Sequence, residues 1–148
     1  MIEFDTTRFG RLRLPEEAVL HFPQALYGLE ETHDYCLLEH DELAGFYWLQ
    51  SLDSPEVALI VVDPFRYLPE YEVEIPESTA ALLRVQDPSE LTLYTTVSVA
   101  PDHSQVSTNL LGPLAINYQE RVGAQVVQHG SAYTCRHLLA SRPATERS

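Results

Sequence analysis

A nucleophile beside a base, a pair of converging carboxylates or a cluster of metal ligands would let this chain do chemistry, and residue types for each are present. Cys36 and Cys135 could supply a thiolate, but neither lies in a CxxC pair. Only Cys135 has neighbours, Arg136 and His137, of the kind that lower a thiol pKa. Glu72 and Glu74 lie two apart in an alternating stretch, which on a strand puts them on one face roughly 6.6–6.8 Å apart. Such a pair serves acid–base work only in a cleft that perturbs its pKa values; on an exposed face it simply meets water. Glu16-Glu17 and Glu30-Glu31 fall at turns. Six histidines (His21, His33, His40, His103, His129, His137) form no HxH or HExxH pair, so no metal site is expected. Ser51 has no GxSxG around it, and the few glycines form neither a P-loop nor a GxGxxG. No cofactor is implied. Binding is therefore favoured over catalysis, with a small hydrolase using Cys135 or a carboxylate pair as the catalytic alternative.

The elements that must position these residues are mostly strands. Ten prolines punctuate short runs of Val, Ile, Leu and Tyr. Alternation predicts strands at residues 2–5, 9–14, 19–22, 35–39, 46–50, 71–75, 91–99, 106–108, 113–117 and 121–128. Val57-Ala58-Leu59-Ile60-Val61-Val62 has no polar residue and reads as a central, fully buried strand. The residues His40-Asp41-Glu42 and Pro101-Asp102-His103-Ser104 read as turns. One short helix starts at Pro76, with Glu77 in its first turn, and stops before Asp87-Pro88. The fold class is mainly β: a small barrel-like or two-sheet antiparallel fold with one short helix. A single domain is expected over residues 1–139, followed by a flexible tail at 140–148.

Charge narrows the partners. The 148 residues carry 22 acids against nine basic residues, all of them Arg, for a net charge of −13. Residues 1–100 hold 19 acids and five Arg, so the acidity belongs to the first two thirds. Direct nucleic-acid binding is excluded on this ground, because phosphate neutralisation needs clustered Lys or Arg. A basic protein partner fits, and charge would steer that encounter. No apolar run approaches the ~20 residues of a membrane helix, and no signal-peptide pattern opens the chain, so an intracellular, soluble protein is expected.

Two surface segments stand out. Phe65-Arg66-Tyr67 follows Pro64 off the apolar strand and lies in a connection, where binding residues concentrate. With Glu72 and Glu74 it forms one candidate partner face. Asn109-Leu110-Leu111 leads into Gly112-Pro113; it is either a rigid corner, with Asn109 bracing its own backbone through an Asx-type bond, or a second partner cluster.

These residues also carry a resemblance. Phe9-Gly10, Phe22-Pro23 with Gly28-Leu29-Glu30, Leu49-Gln50-Ser51, Val62-Asp63-Pro64-Phe65 with Tyr71-Glu72, Thr108-Asn109-Leu110-Leu111-Gly112-Pro113 with Ile116-Asn117, Gly123-Ala124-Gln125 and Tyr133-Thr134-Cys135-Arg136 occur in the order and spacing of the FliW family of flagellar assembly factors. The chain resembles that family over residues 2–139. It departs from the usual pattern at Ala25 and Tyr27, where Gly and Pro are common, at Asp63, where Asn is common, and at Gly112, where Ala is common. The resemblance implies a non-enzymatic, mainly β protein of the bacterial cytoplasm. It would bind the translational repressor CsrA, the carbon storage regulator, and also flagellin, and would relieve repression of flagellin translation when flagellin is exported. A monomer is favoured. A dedicated flagellin chaperone without CsrA binding is the alternative within the same resemblance.

Overall fold

A computed structural model describes residues 1–40, 45–102, 104–129 and 132–141. The expected turn at His40-Asp41-Glu42 falls largely outside these residues, as do His103 of the next turn and the tail from residue 142 onward.

Among the described residues eleven strands and one α-helix are formed: β1 (Ile2–Thr6), β2 (Gly10–Leu14), β3 (Leu20–His21), β4 (Asp34–Glu39), β5 (Phe46–Ser51), β6 (Ala58–Val62), α1 (Glu77–Leu82), β7 (Thr92–Val99), β8 (Gln105–Thr108), β9 (Leu114–Asn117), β10 (Val122–Gln125) and β11 (His137–Ser141). β1 and β2 form a separate antiparallel hairpin. Its turn is held by Thr6, whose Oγ1 accepts from the Phe9 amide at 2.8 Å and donates to the Gly10 carbonyl at 2.7 Å. Arg8 lies over the Trp48 ring at 4.3 Å, and the Thr7 amide donates to the Pro55 carbonyl, so the hairpin is pinned to the rest of the fold.

The other nine strands run in the order β11-β8-β7-β6-β5-β4-β3-β10-β9, and β9 pairs again with β7. The ring β7-β6-β5-β4-β3-β10-β9 thus closes on itself, which removes most free edges. One contact, β3 with β10, is parallel and consists of a single residue pair, Val122 with His21. β7 is eight residues long and serves two bodies. Thr95 and Thr96 pair with β6, whereas residues 97–99 leave the ring and pair with β8, which β11 extends.

Alternation sorts the core. Phe22, Tyr35, Leu49, Val61, Leu114 and Ile116 pack inside the ring. Ala115, Val122, Ala124 and Val126 point the other way and pack with Leu83 and Val85, at and beyond the end of α1. β9 is buried at all four residues because both of its faces are covered. The end of α1 is closed by Arg84 in a left-handed conformation (φ 56°) and by Asn117, whose Nδ2 donates to the Leu83 carbonyl at 2.8 Å. No described helix is long and apolar enough to cross a membrane.

Two strand expectations need correction. Residues 57–60 of the apolar run are only partly buried; Val61 and Val62 alone are fully so. Residues 71–75 alternate as expected, with Tyr71 buried and Glu72 and Glu74 exposed, yet they form no strand. Side chains, not a neighbouring strand, satisfy this backbone. The Glu72 amide donates to Tyr133 Oη at 3.1 Å, the Glu74 amide donates to Gln128 Oε1 at 2.9 Å, and Gln128 Nε2 donates back to the Glu74 carbonyl at 3.1 Å. β11 was not anticipated, and it runs through Ser141.

Candidate functional site

Asp63 and Pro64 turn the chain off β6. Pro64 is buried at the first position of a short 3-10 turn, and Asp63 Oδ1 accepts from the Phe65 amide at 3.0 Å. This tight turn cannot bury three successive side chains, and Phe65 and Tyr67 are each left 40% exposed. Both are nevertheless held by rings: Phe65 against Tyr71 at 5.9 Å and Tyr67 edge-on to Phe46 at 6.1 Å. Arg66 is exposed but lies close along the backbone of Gly45; a Cβ added there would meet Arg66 Cδ at 2.7 Å.

Tyr71 joins the two sequence-predicted clusters. Its ring packs on Phe65 and, at 4.9 Å, on Tyr133, and its hydroxyl donates to the Leu110 carbonyl at 2.6 Å. Burial raises the Tyr71 pKa well above the ordinary tyrosine value, with nearby Tyr133 adding to it, so the hydroxyl remains a donor. Phe65, Tyr67, Glu72 and Glu74 therefore lie on one short stretch of chain as an exposed aromatic and acidic surface backed by a fixed ring.

Residues 109–113 form a rigid corner. They are an excursion from one edge of β7, between its pairing with β8 and its pairing with β9. Asn109 Oδ1 accepts from the Leu111 amide at 2.9 Å, the expected Asx bond. The Leu110 amide donates to the Thr134 carbonyl and its own carbonyl accepts from Tyr71, which turns the Leu110 side chain inward. Leu110 is 1% exposed, so the expectation that it could be offered to a partner is corrected: it is a core residue. Asn109 and Leu111 are half-buried and line an open groove of about 560 Å³ with Tyr27, Leu59, Val97 and Cys135.

Gln125 enters the sequence reading only within Gly123-Ala124-Gln125, and its bridging role is revealed by packing alone. Its Oε1 accepts from the Tyr27 amide at 2.9 Å, and its Nε2 donates to the Gly112 carbonyl at 3.1 Å. A Cβ on Gly112 would sit 2.7 Å from that Nε2. Two of the chain's departures from the usual pattern thus meet at one side chain: proline at 27 would lack the amide, and alanine at 112 would displace the glutamine.

The candidates for covalent chemistry are dispersed. Cys36 is buried and its thiol pKa is pushed up to about 11 by desolvation, whereas Cys135 is exposed. We expect a disulfide reagent such as dithionitrobenzoate to titrate one thiol in the native protein at pH 8 and the second only in denaturant. Two fast thiols without denaturant would contradict the placement of Cys36. Ser51 is buried, and its Oγ accepts from the Asp53 and Ser54 amides, a turn-bracing role. His21 Nδ1 bonds Asp34 at 2.7 Å and its ring stacks on His33. Among the described residues, no group of three or more His, Cys, Asp or Glu is placed to hold a metal. The side chains left exposed here are the aromatic pair Phe65 and Tyr67 and the acids Glu72 and Glu74, and an apolar groove lies beside Asn109 and Leu111.

Comparison with known proteins gives the chain a family. The FliW protein family matches residues 3–139. The flagellar assembly factor FliW of Moorella thermoacetica is 36% identical over 135 residues, covering 90% of this chain and 85% of the relative. That of Treponema denticola is 32% identical over 148 residues, covering 99% and 100%. A solved structure, the crystal structure of the flagellar assembly factor FliW, superposes with a TM-score of 0.85 at 28% identity, covering 93% of this chain and 96% of its own. A closed ring of short strands with one helix, matched across nearly its whole length in both sequence and shape, places this chain in the FliW family.

Proposed function

We propose that this protein is a non-enzymatic regulator of flagellar assembly in the bacterial cytoplasm, acting as a monomer that binds the repressor CsrA and flagellin in turn. Occupied by flagellin, it leaves CsrA free to repress flagellin translation; freed by export of flagellin, it engages CsrA and relieves that repression. Family membership supports the role. The observation that carries the choice of surface is the exposed aromatic pair Phe65 and Tyr67 beside Glu72 and Glu74, on a chain of net charge −13 with no Lys.

The acidic face suits a basic RNA-binding partner, because opposite charge accelerates encounter and aromatic anchors hold the docked state. Flagellin contact would be more apolar and would use the Asn109 and Leu111 side. Co-purification with CsrA and with flagellin, singly and together, tests the reading. Each should be retained alone, and added flagellin should displace CsrA. Retention of neither overturns the proposal.

Two expectations follow from the chemistry of the face. Tyr67→Ala should lower partner affinity about 10- to 30-fold, the loss typical of truncating an aromatic anchor, without unfolding the protein. Calorimetric titration checks it; unchanged affinity for both partners rejects Tyr67 as an anchor. Raising salt from 50 to 500 mM should weaken CsrA binding by screening and leave flagellin binding nearly constant. Equal salt slopes for the two would reject separate acidic and apolar contacts.

A further inference from the structure

The turn that exposes Phe65 also leaves a pocket beside it. β6 stays next to β7 as far as Val62, which lies opposite Thr95. Pro64 then carries the chain off the sheet, and a cavity of about 300 Å³ opens between that turn and residues 91–94. Its walls include Tyr47, Asp63, Phe65, Thr92 and Tyr94. The Tyr47 and Tyr94 rings meet edge to face at 78°, with centroids 5.5 Å apart. Tyr94 is fixed again by its hydroxyl, which bonds that of Tyr118 at 2.6 Å. Phe65 forms the lip and is held against Tyr71. The rings are thus in place before anything enters, so a ligand need not order them.

One charge stands among these rings, and it is negative. Asp63 is half-buried, and its Oδ1 accepts from the Phe65 amide at 3.0 Å. Among the described residues its carboxylate forms no ion pair. Arg66 is near in the chain but lies along Gly45 instead, and no Arg lines the pocket. Burial raises the Tyr94 pKa, and the charge of Asp63 adds to the rise, so that phenol stays neutral. Neutral rings offer a negative face to a cation, and a half-buried carboxylate without a counter-charge favours one as well. The carboxylate at 63 is also one of this chain's departures from the usual pattern.

The structure assigns this pocket to a cationic side chain of a protein partner, an arginine whose guanidinium lies against the Tyr47 and Tyr94 rings and turns its N–H groups to Asp63. A guanidinium fits better than an ammonium because it is flat, weakly hydrated and carries several donors. Phe65 makes the pocket continuous with the aromatic and acidic face. The source of the arginine therefore rests on the reading above, that this face meets a basic partner; the chemistry of the pocket does not.

The test uses the whole protein and a defined probe, the capped tripeptide Gly-Arg-Gly, titrated at millimolar concentration and constant ionic strength with NMR as the readout. The largest shifts should fall at Asp63, Phe65, Thr92 and Leu93. The isosteric peptide with citrulline in place of arginine should bind about fivefold or more weakly, since it keeps the shape and loses the charge. The lysine peptide should also bind more weakly. Asp63→Asn keeps the oxygen that caps the turn and should weaken the arginine peptide about fivefold or more, whereas Glu17→Gln, an exposed acid outside the pocket, should change it less than about twofold. Absence of shifts, shifts spread over the acidic surface without a maximum at the pocket, equal binding of the citrulline or lysine peptide, or equal effects of the two variants would each overturn the inference. Those results would leave the CsrA and flagellin titrations standing. Failure of CsrA to bind, with the peptide shifts intact, would remove the proposed partner and keep the pocket.

Discussion

Val61→Asp should leave the protein unfolded at room temperature. Val61 is fully buried in the ring core, on a strand paired on both sides, with Tyr47 opposite it on β5 and Thr96 opposite it on β7. A carboxylate there loses its water and gains no cation, since the arginines in described ion pairs, Arg11, Arg13 and Arg84, all lie at the surface. Even protonated, the acid buries a polar group where a methyl pair packed. The cost is several kcal/mol, about 4 or more, against a total stability of about 5–15 for a domain of this size. Far-ultraviolet circular dichroism with urea titration measures it. A cooperative transition within about 1 kcal/mol of the parent would place Val61 at the surface and reject the closed ring.

Leu110→Ala should cost about 2–5 kcal/mol, the range for truncating a fully buried Leu. The corner cannot collapse easily onto the gap. Asn109 is pinned to β7 by its backbone amide, which donates a hydrogen bond to the Thr96 carbonyl; Leu110 is held by Thr134 and Tyr71, and the Gln128 amide donates to the Leu111 carbonyl. Leu111→Ala, one residue on and half-buried in the groove wall, should cost about 1 kcal/mol or less in stability. Its effect should appear in flagellin affinity. Paired urea titrations and calorimetry on the two variants separate a packing role from a contact role. Equal stability losses would reject the inward turn of Leu110.

The difference between those neighbouring leucines shows what sequence could and could not convey. Alternation located β1 and β2, the strand through Phe46 and the long β7, because period-two burial is local. It placed Tyr71 inside and Glu72 and Glu74 outside for the same reason. It could not show that residues 71–75 lack a strand partner, since Gln128 and Tyr133, more than fifty residues away, supply the hydrogen bonds. The corner at 109–113 breaks period two, so nothing local decided which leucine turned inward. The Asx bond of Asn109 was legible because it spans two residues. Closure of the ring through β9 and the splitting of β7 between two bodies depend on long-range pairing. Phe65 and Tyr67 were legible as exposed because Pro64 forces the chain off the sheet; their bracing by Tyr71 and Phe46 was not.

The claim that this molecule acts by occupying a partner's surface is tested most directly by RNA release. A fluorescent flagellin leader RNA is bound to purified CsrA, and this protein is added in increments with RNA anisotropy as the readout. The account predicts that RNA is released in proportion to the protein bound, that prior saturation with flagellin blocks release, and that Glu72→Gln/Glu74→Gln blunts it if repulsion of phosphates contributes. Anisotropy that stays constant while the protein demonstrably binds CsrA, or an absence of binding by folded protein, would contradict it.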